Sequence, residues 1–286
     1  SDTDNYLQLL ADEFDGACSI GIDKNFPARF LMPLMDLVDE CHFELGSECV
    51  DRVRMVKDEK EQQLMIEASK INDLVVDEVI NICAKGNLTE KEVSDQLAGI
   101  YQKHGCTGNS FEPIVAYGKN GADNHHSGDD STLKPGDSIV IDIGGLYKGY
   151  CSDMTRTVFY KEVSPKQKAV YELVLKAQKA AEAMIKPGVR LCDIDKCARD
   201  IIAEGGYTVE FNHRLGHFIG RDVHEWGDVS QNYDIEVQEG MTFSIEPGVY
   251  LQGEFGVRIE DLVLVTKEGC KVLNSYPKDL RVIGND

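Results

Sequence analysis

Apolar side chains recur at helical spacing in some stretches and in short, strand-like runs in others, and the order of these elements occurs twice. Leu64, Ala68, Ile71, Val75, Val79 and Ile82 step three or four residues apart, which predicts a long helix from Lys57 that Gly86 closes. Thr89 with Glu92 three residues on is a capping box, and Val93, Leu97, Ile100 and Tyr101 give the next helix its buried side. Strands are predicted over 111–117, 138–143 and 155–160, the last two joined by the turn residues Gly144-Gly145 and Lys148-Gly149. Ser164-Pro165-Lys166-Gln167 then opens a helix that runs to Ile185, with cap, proline and capping-box glutamine in sequence. A further helix over 192–204 ends at Gly205-Gly206, and a strand is expected over 208–212. Helix, helix, strand, hairpin therefore appears twice. It implies an α+β domain of two similar halves, with antiparallel strands meeting inside and helices outside.

Residues 1–56 carry a different pattern: a helix over 2–14, a strand over 19–22, a helix over 27–38 with Pro33 near its start, and a strand over 41–45. Few short strands are visible and strands need partners. The expectation is the remainder of a small α/β N-terminal domain over 1–56, the later part of a longer one, followed by a main domain over 57–286.

The two hairpins share more than their pattern. Leu133 to Gly145 aligned on Val237 to Val249 matches Gly136 with Gly240, Asp142 with Glu246 and Gly144 with Gly248. Downstream, Asp153 in CSDMTRTVF is answered by Glu260 in VRIEDLVLV. Each hairpin thus offers one carboxylate on its outgoing and one on its returning strand. A carboxylate in an apolar strand costs several kcal/mol unless it is paired or bound to a cation, and the strand holding Asp142 has no Lys or Arg. Four such groups from facing hairpins could not all remain anions in a core, so two divalent cations are expected to neutralise them. A simple turn aspartate is the plainer reading of either Asp142 or Asp153 alone.

The stretch HRLGHFIGRDVHEWG brings His213, His217 and His224, three of the seven histidines, between the second-half strand and the second hairpin. One of them is expected to ligate metal. Four carboxylates and one imidazole suit a pair of manganese, cobalt or zinc ions better than calcium or a closed zinc site. His125-His126 lies in a Gly/Asn-rich loop before the first hairpin, which favours a role beside a substrate over a merely exposed pair. Arg258, two residues before Glu260, is placed to orient a carboxylate or a substrate group; a surface salt bridge is the plainer account.

Composition narrows the classes. At 286 residues, 42% hydrophobic and 28% charged, the chain is an ordinary globular protein rather than a disordered one. No apolar run approaches the roughly 20 residues that span a bilayer, so a soluble, cytoplasmic protein is expected. Nine scattered cysteines without a C-x-x-C pair point to reduced core thiols. A formal charge of −20 argues against nucleic acid.

From Arg54 onward, the segments GKNGADNHH, VIDIG, GYCSDMTRT, HRLGHFIGRDVHE, SIEPGVY and GVRIED resemble the pita-bread-fold metallopeptidases, the family of methionine aminopeptidases, aminopeptidase P and Xaa-Pro dipeptidases (prolidases). The resemblance implies that Asp153 and Glu260 bridge two divalent metals, manganese before cobalt or zinc, that Asp142 binds one of them, and that His217 with Glu246 binds the other. It implies further that Glu246 passes a proton and that His125, His213 and His224 line the substrate side, with His224 a donor to the oxyanion. His213 and Arg258 mark the proline-specific branch. The substrate implied is a proline-containing di- or oligopeptide, with the Xaa-Pro dipeptidase favoured over aminopeptidase P, and with a non-catalytic peptide-binding member or a metal-free hydrolase like creatinase as more distant alternatives. A homodimer is expected. HEWGD departs from the family in having Trp226 where many members have proline, which is expected to alter the pocket rim.

Overall fold

The computed structural model describes residues 5–14, 16 and 19–285. They fall into two compact units, 1–54 and 55–286. In the first, α1 (Tyr6–Asp12), β1 (Ser19–Ile22), α2 (Ala28–Leu37), β2 (His42–Leu45) and α3 (Ser47–Met55) follow one another, with β1 and β2 parallel. The part of the predicted first helix at residues 2–4 lies outside the described residues. Pro33 sits inside α2 rather than near its start. Helix α3 was not foreseen: its charged residues are interleaved with exposed Val50 and Val53, which gives no clear apolar stripe to read.

The second unit begins with α4 (Glu59–Ala84) and α5 (Glu90–Lys103). Asp58 with Glu61, and Thr89 with Glu92, form complete capping boxes at their starts, so the orphan N–H groups of both helices are satisfied locally. Next come β3 (Ile114–Tyr117), β4 (Ser138–Ile143), the short pair β5 (Leu146–Tyr147) and β6 (Tyr150–Cys151), and β7 (Met154–Tyr160). The chain then forms α6 (Pro165–Met184) and α7 (Leu191–Glu204), β8 (Gly216–His217) and β9 (Asp228–Val229). It closes with β10 (Thr242–Ile245), β11 (Gly248–Leu251), β12 (Phe255–Arg258), β13 (Asp261–Val265), β14 (Cys270–Val272) and β15 (Val282–Ile283).

The repeat is visible in the pairing. Strand β4 pairs antiparallel with β7 around the small β5–β6 hairpin, and β10 pairs antiparallel with β13 around the small β11–β12 hairpin. Gly136 and Gly240 enter β4 and β10 with φ of 90° and 87°, so the matched glycines make the same left-handed turn that a side chain would strain. Each half has its own core: Val75, Val79, Leu97, Ile139 and Ile141 pack in the first, and Val174, Ala198, Ile202, Phe243 and Val263 in the second. The strand expected over 208–212 is instead a run of turns with Val209 exposed; its β-like composition found no partner strand to pair with. The place of β3 is taken in the second half by the short β8, extended by a bridge from Phe218 to Phe243.

Cys83, Cys106 and Cys151 are buried thiols, whereas Cys49 is exposed. No described helix is long and apolar enough to cross a membrane.

Candidate active site

Strand β4 is buried along its whole length. Its two-residue period sends Ile139, Ile141 and Ile143 into the first core and turns Asp142 to the opposite face. Asp153 stands just ahead of β7, His217 ends β8, Glu246 follows β10 directly, and Glu260 sits between β12 and β13. The halves meet at this level: the Glu260 N–H donates to the Thr155 carbonyl, and the Arg258 N–H to the Thr157 hydroxyl.

The ligand-type atoms of Asp153, His217 and Glu260 lie within 4.8 Å of one another. His217 Nε2 is 3.4 Å from Asp153 Oδ2 and 3.6 Å from Glu246 Oε1. All five expected positions line one cavity of about 580 Å³. Burial, reinforced by the neighbouring Asp142 carboxylate, pushes the Asp153 carboxyl well above its ordinary value. Burial and then Asp153 do the same to Glu260. Glu246 is raised by burial to about 7, with His217 and Arg258 pulling the other way. Burial lowers His217, so its imidazole is neutral and able to donate a lone pair.

Asp142 Oδ1 and Asp153 Oδ1 are buried without a hydrogen-bond partner. Buried polar atoms are rarely left so, and two orphaned carboxylate oxygens in a cluster of four acids and one neutral imidazole fit divalent cations bound there.

Arg258 is 3% exposed, which excludes a surface salt bridge. Its Nη2 donates to Asp142 Oδ2 at 2.5 Å, Nη1 to Tyr250 Oη at 2.8 Å and Nε to Thr155 Oγ1 at 3.1 Å. Burial opposes its charge, but Tyr250, Asp142 and Glu246 outweigh that and hold it ionised. The Thr155 hydroxyl in turn donates to Glu260 Oε2 at 2.7 Å. Because Asp142 already has this cation, burial of its charge does not by itself demand metal; the orphaned oxygens carry that argument.

His213 packs beside the same network, its Nε2 2.9 Å from Tyr250 Oη and its Nδ1 2.7 Å from the Arg214 carbonyl. Since Tyr250 accepts from Arg258, its hydroxyl proton points to His213, which is neutral because burial and then Arg258 lower it to about 3. His224 is exposed at the mouth, its ring edge-on to His217 with centroids 4.4 Å apart. His125 and His126 line the cavity from the loop after β3. Trp226 does not reach the rim; it packs on the second core against Tyr233.

Two residues carried no signal in the sequence: Arg214, which lines the cavity, and Tyr250, buried behind Arg258 and His213. Thr155 was signalled only by its place two residues after Asp153, on the same strand face.

A family model described as Metallopeptidase family M24 matches residues 63–267. The Bacillus subtilis protein YkvY is 44% identical over 241 residues, 84% of this chain and 66% of that relative. An Xaa-Pro dipeptidase of Pyrococcus horikoshii is 38% identical over 273 residues, 94% of this chain and 78% of the relative. A solved Xaa-Pro dipeptidase from Bacillus anthracis superposes with a TM-score of 0.93 at 33% identity, covering 98% of this chain and 79% of that one. The chain therefore spans about two thirds to four fifths of the length of these relatives. It has the pita-bread α+β architecture, and it belongs to Metallopeptidase family M24.

Proposed function

We propose that this chain carries the active site of an exopeptidase that hydrolyses Xaa-Pro bonds, as an Xaa-Pro dipeptidase. The observation that carries the reading is the buried cluster of Asp142, Asp153, His217, Glu246 and Glu260 with its two orphaned oxygens. Relatives named as Xaa-Pro dipeptidases over most of the chain support the substrate class. Asp142, Asp153, His217, Glu246 and Glu260 would hold two divalent ions, manganese by preference for an oxygen-rich set with one nitrogen. Bound there, such ions supply a nucleophilic water at neutral pH and polarise the scissile carbonyl.

The protein's own groups do the rest. Glu246, beside His217 on the cavity wall, takes a proton from water and passes it to the leaving nitrogen. His224, at the mouth, donates to the developing oxyanion. His125 and His213 bound the substrate, and the rigid Arg258–Tyr250–His213 chain gives a fixed wall for the proline ring, whose nitrogen brings no N–H to satisfy. The reading includes a cytoplasmic homodimer.

The test is kcat/KM for Ala-Pro and Ala-Ala, and for each extended by one residue, with manganese present. Ala-Pro should exceed Ala-Ala by about ten- to two-hundred-fold, the range that matched apolar contacts supply. Equal values would sink the proline claim, and cleavage of the tripeptide but not the dipeptide would make the enzyme an aminopeptidase P.

A further inference from the structure

The loop between β3 and β4 carries His125 and His126 into the cavity, yet apart from the short 3₁₀ turn Gly118–Ala122 it has no regular structure. Backbone contacts from Glu90 and Lys91 and the Gln252 amide tie parts of it down, and one buried carboxylate makes four contacts along it. Glu90, the first residue of α5, is fully buried. Its Oε1 accepts from the Tyr117 N–H at 2.6 Å and from Asn120 Nδ2 at 3.0 Å. Its Oε2 meets His126 Nε2 at 2.7 Å and accepts from the Asp129 N–H at 3.1 Å. The four partners run from the last residue of β3 to Asp129 inside the loop.

Glu90, His126 and Asp129 have the composition of a cation site, but both Glu90 oxygens already face N–H donors. A carboxylate surrounded by donors is stable when buried without metal. We propose that Glu90 is a positioning residue that sets the cleft wall: it fixes His126 with its proton on Nε2 and holds the segment from Tyr117 to Asp129 so that the neighbouring His125 faces the substrate. The role of His125 rests on the proposed function; the ordering of the loop does not.

Glu90→Gln separates the two. The amide has the same shape, but either orientation sets its NH₂ group against a backbone N–H, that of Tyr117 or that of Asp129, which then loses its acceptor. Two measurements are made on the intact protein. Hydrogen exchange should accelerate across 117–129 by about tenfold or more while α4 and β10 are unchanged; equal exchange in both proteins would overturn the proposal whatever the enzyme cleaves. The second is a double-mutant cycle with His125→Ala on Ala-Pro, metal content being checked in each variant. Glu90→Gln alone should lower kcat/KM about tenfold or more, and in the His125→Ala background it should add less than about twofold. Independent, multiplying losses would show a general structural effect and overturn the link to His125. If the unmodified protein leaves Ala-Pro intact, the substrate reading fails, and the exchange result still decides the role of Glu90.

Discussion

Arg258 reaches Asp142 across 116 positions of sequence, and the same guanidinium holds Tyr250 and Thr155. One planar cation therefore touches a candidate metal ligand, the hydroxyl behind His213 and the hydroxyl behind Glu260. Lysine cannot present three donors in these directions.

Arg258→Met should consequently leave Asp142 buried and unpaired. The expected loss is about 3 to 5 kcal/mol in metal-free protein, and it should shrink when manganese supplies a counter-charge. Urea unfolding with chelator and with saturating manganese measures both; equal losses in the two conditions would mean that Asp142 does not meet the metal.

Glu246→Gln keeps the shape of the side chain and removes its proton-carrying capacity. Turnover of Ala-Pro should fall by about a hundred- to ten-thousand-fold. Metal analysis of the same sample shows whether two ions remain, and full activity in a loaded variant would exclude Glu246 as the proton carrier.

The raised carboxyls have a consequence for pH. Asp153 and Glu260 lie well above their ordinary values and Glu246 rises from 4.5 to about 7. Each binds its proton more tightly folded than unfolded, so its contribution is present below about 4.5 and is lost as pH climbs through the folded values. Chelated protein should thus lose melting temperature between pH 5 and 8 relative to manganese-loaded protein, because metal favours the ionised cluster. Calorimetric titration at pH 6 in buffers of different ionisation enthalpy should report proton release. Parallel melting curves and no released protons would contradict the buried cluster.

Gly216 precedes His217 at the closest approach of β8 to β10. A Cβ there would lie 1.9 Å from the Ser244 carbonyl oxygen, and the His217 N–H bonds the Ser244 hydroxyl. Gly216→Ala should therefore shift His217 and weaken manganese binding by about ten- to a hundred-fold, read by equilibrium dialysis. Unchanged affinity would place His217 outside the metal site.

What could be read from the sequence was what neighbours in sequence determine. Capping boxes at Thr89 and Ser164, the alternation through β4 and the matched glycines at 136 and 240 are local signals, and each appears in the structure. The four candidate carboxylates could be named because their hairpins are similar, His217 was singled out by the family resemblance, and the structure brings all five to one cavity. The partners of those ligands were hidden. Arg258 to Asp142, Thr155 to Glu260 and Glu90 to His126 are contacts between residues 36 to 116 apart, and nothing local to Asp142 says that its cation comes from the other half. The strand expected over 208–212 failed for the same reason: composition proposes a strand, but only a partner strand makes one.

The division of the cluster between the halves also sets when it can exist. Asp142 and Asp153 come from the first half, and His217, Glu246 and Glu260 from the second. A chain still being synthesised has at most the two neighbouring aspartates of the first half until α6 and α7 have been made, and the cluster closes only once Glu260 has left the ribosome and settled beside Thr155. A nascent or prematurely ended chain of this protein is thus without its complete acidic cluster, whose assembly follows the order in which its residues are made.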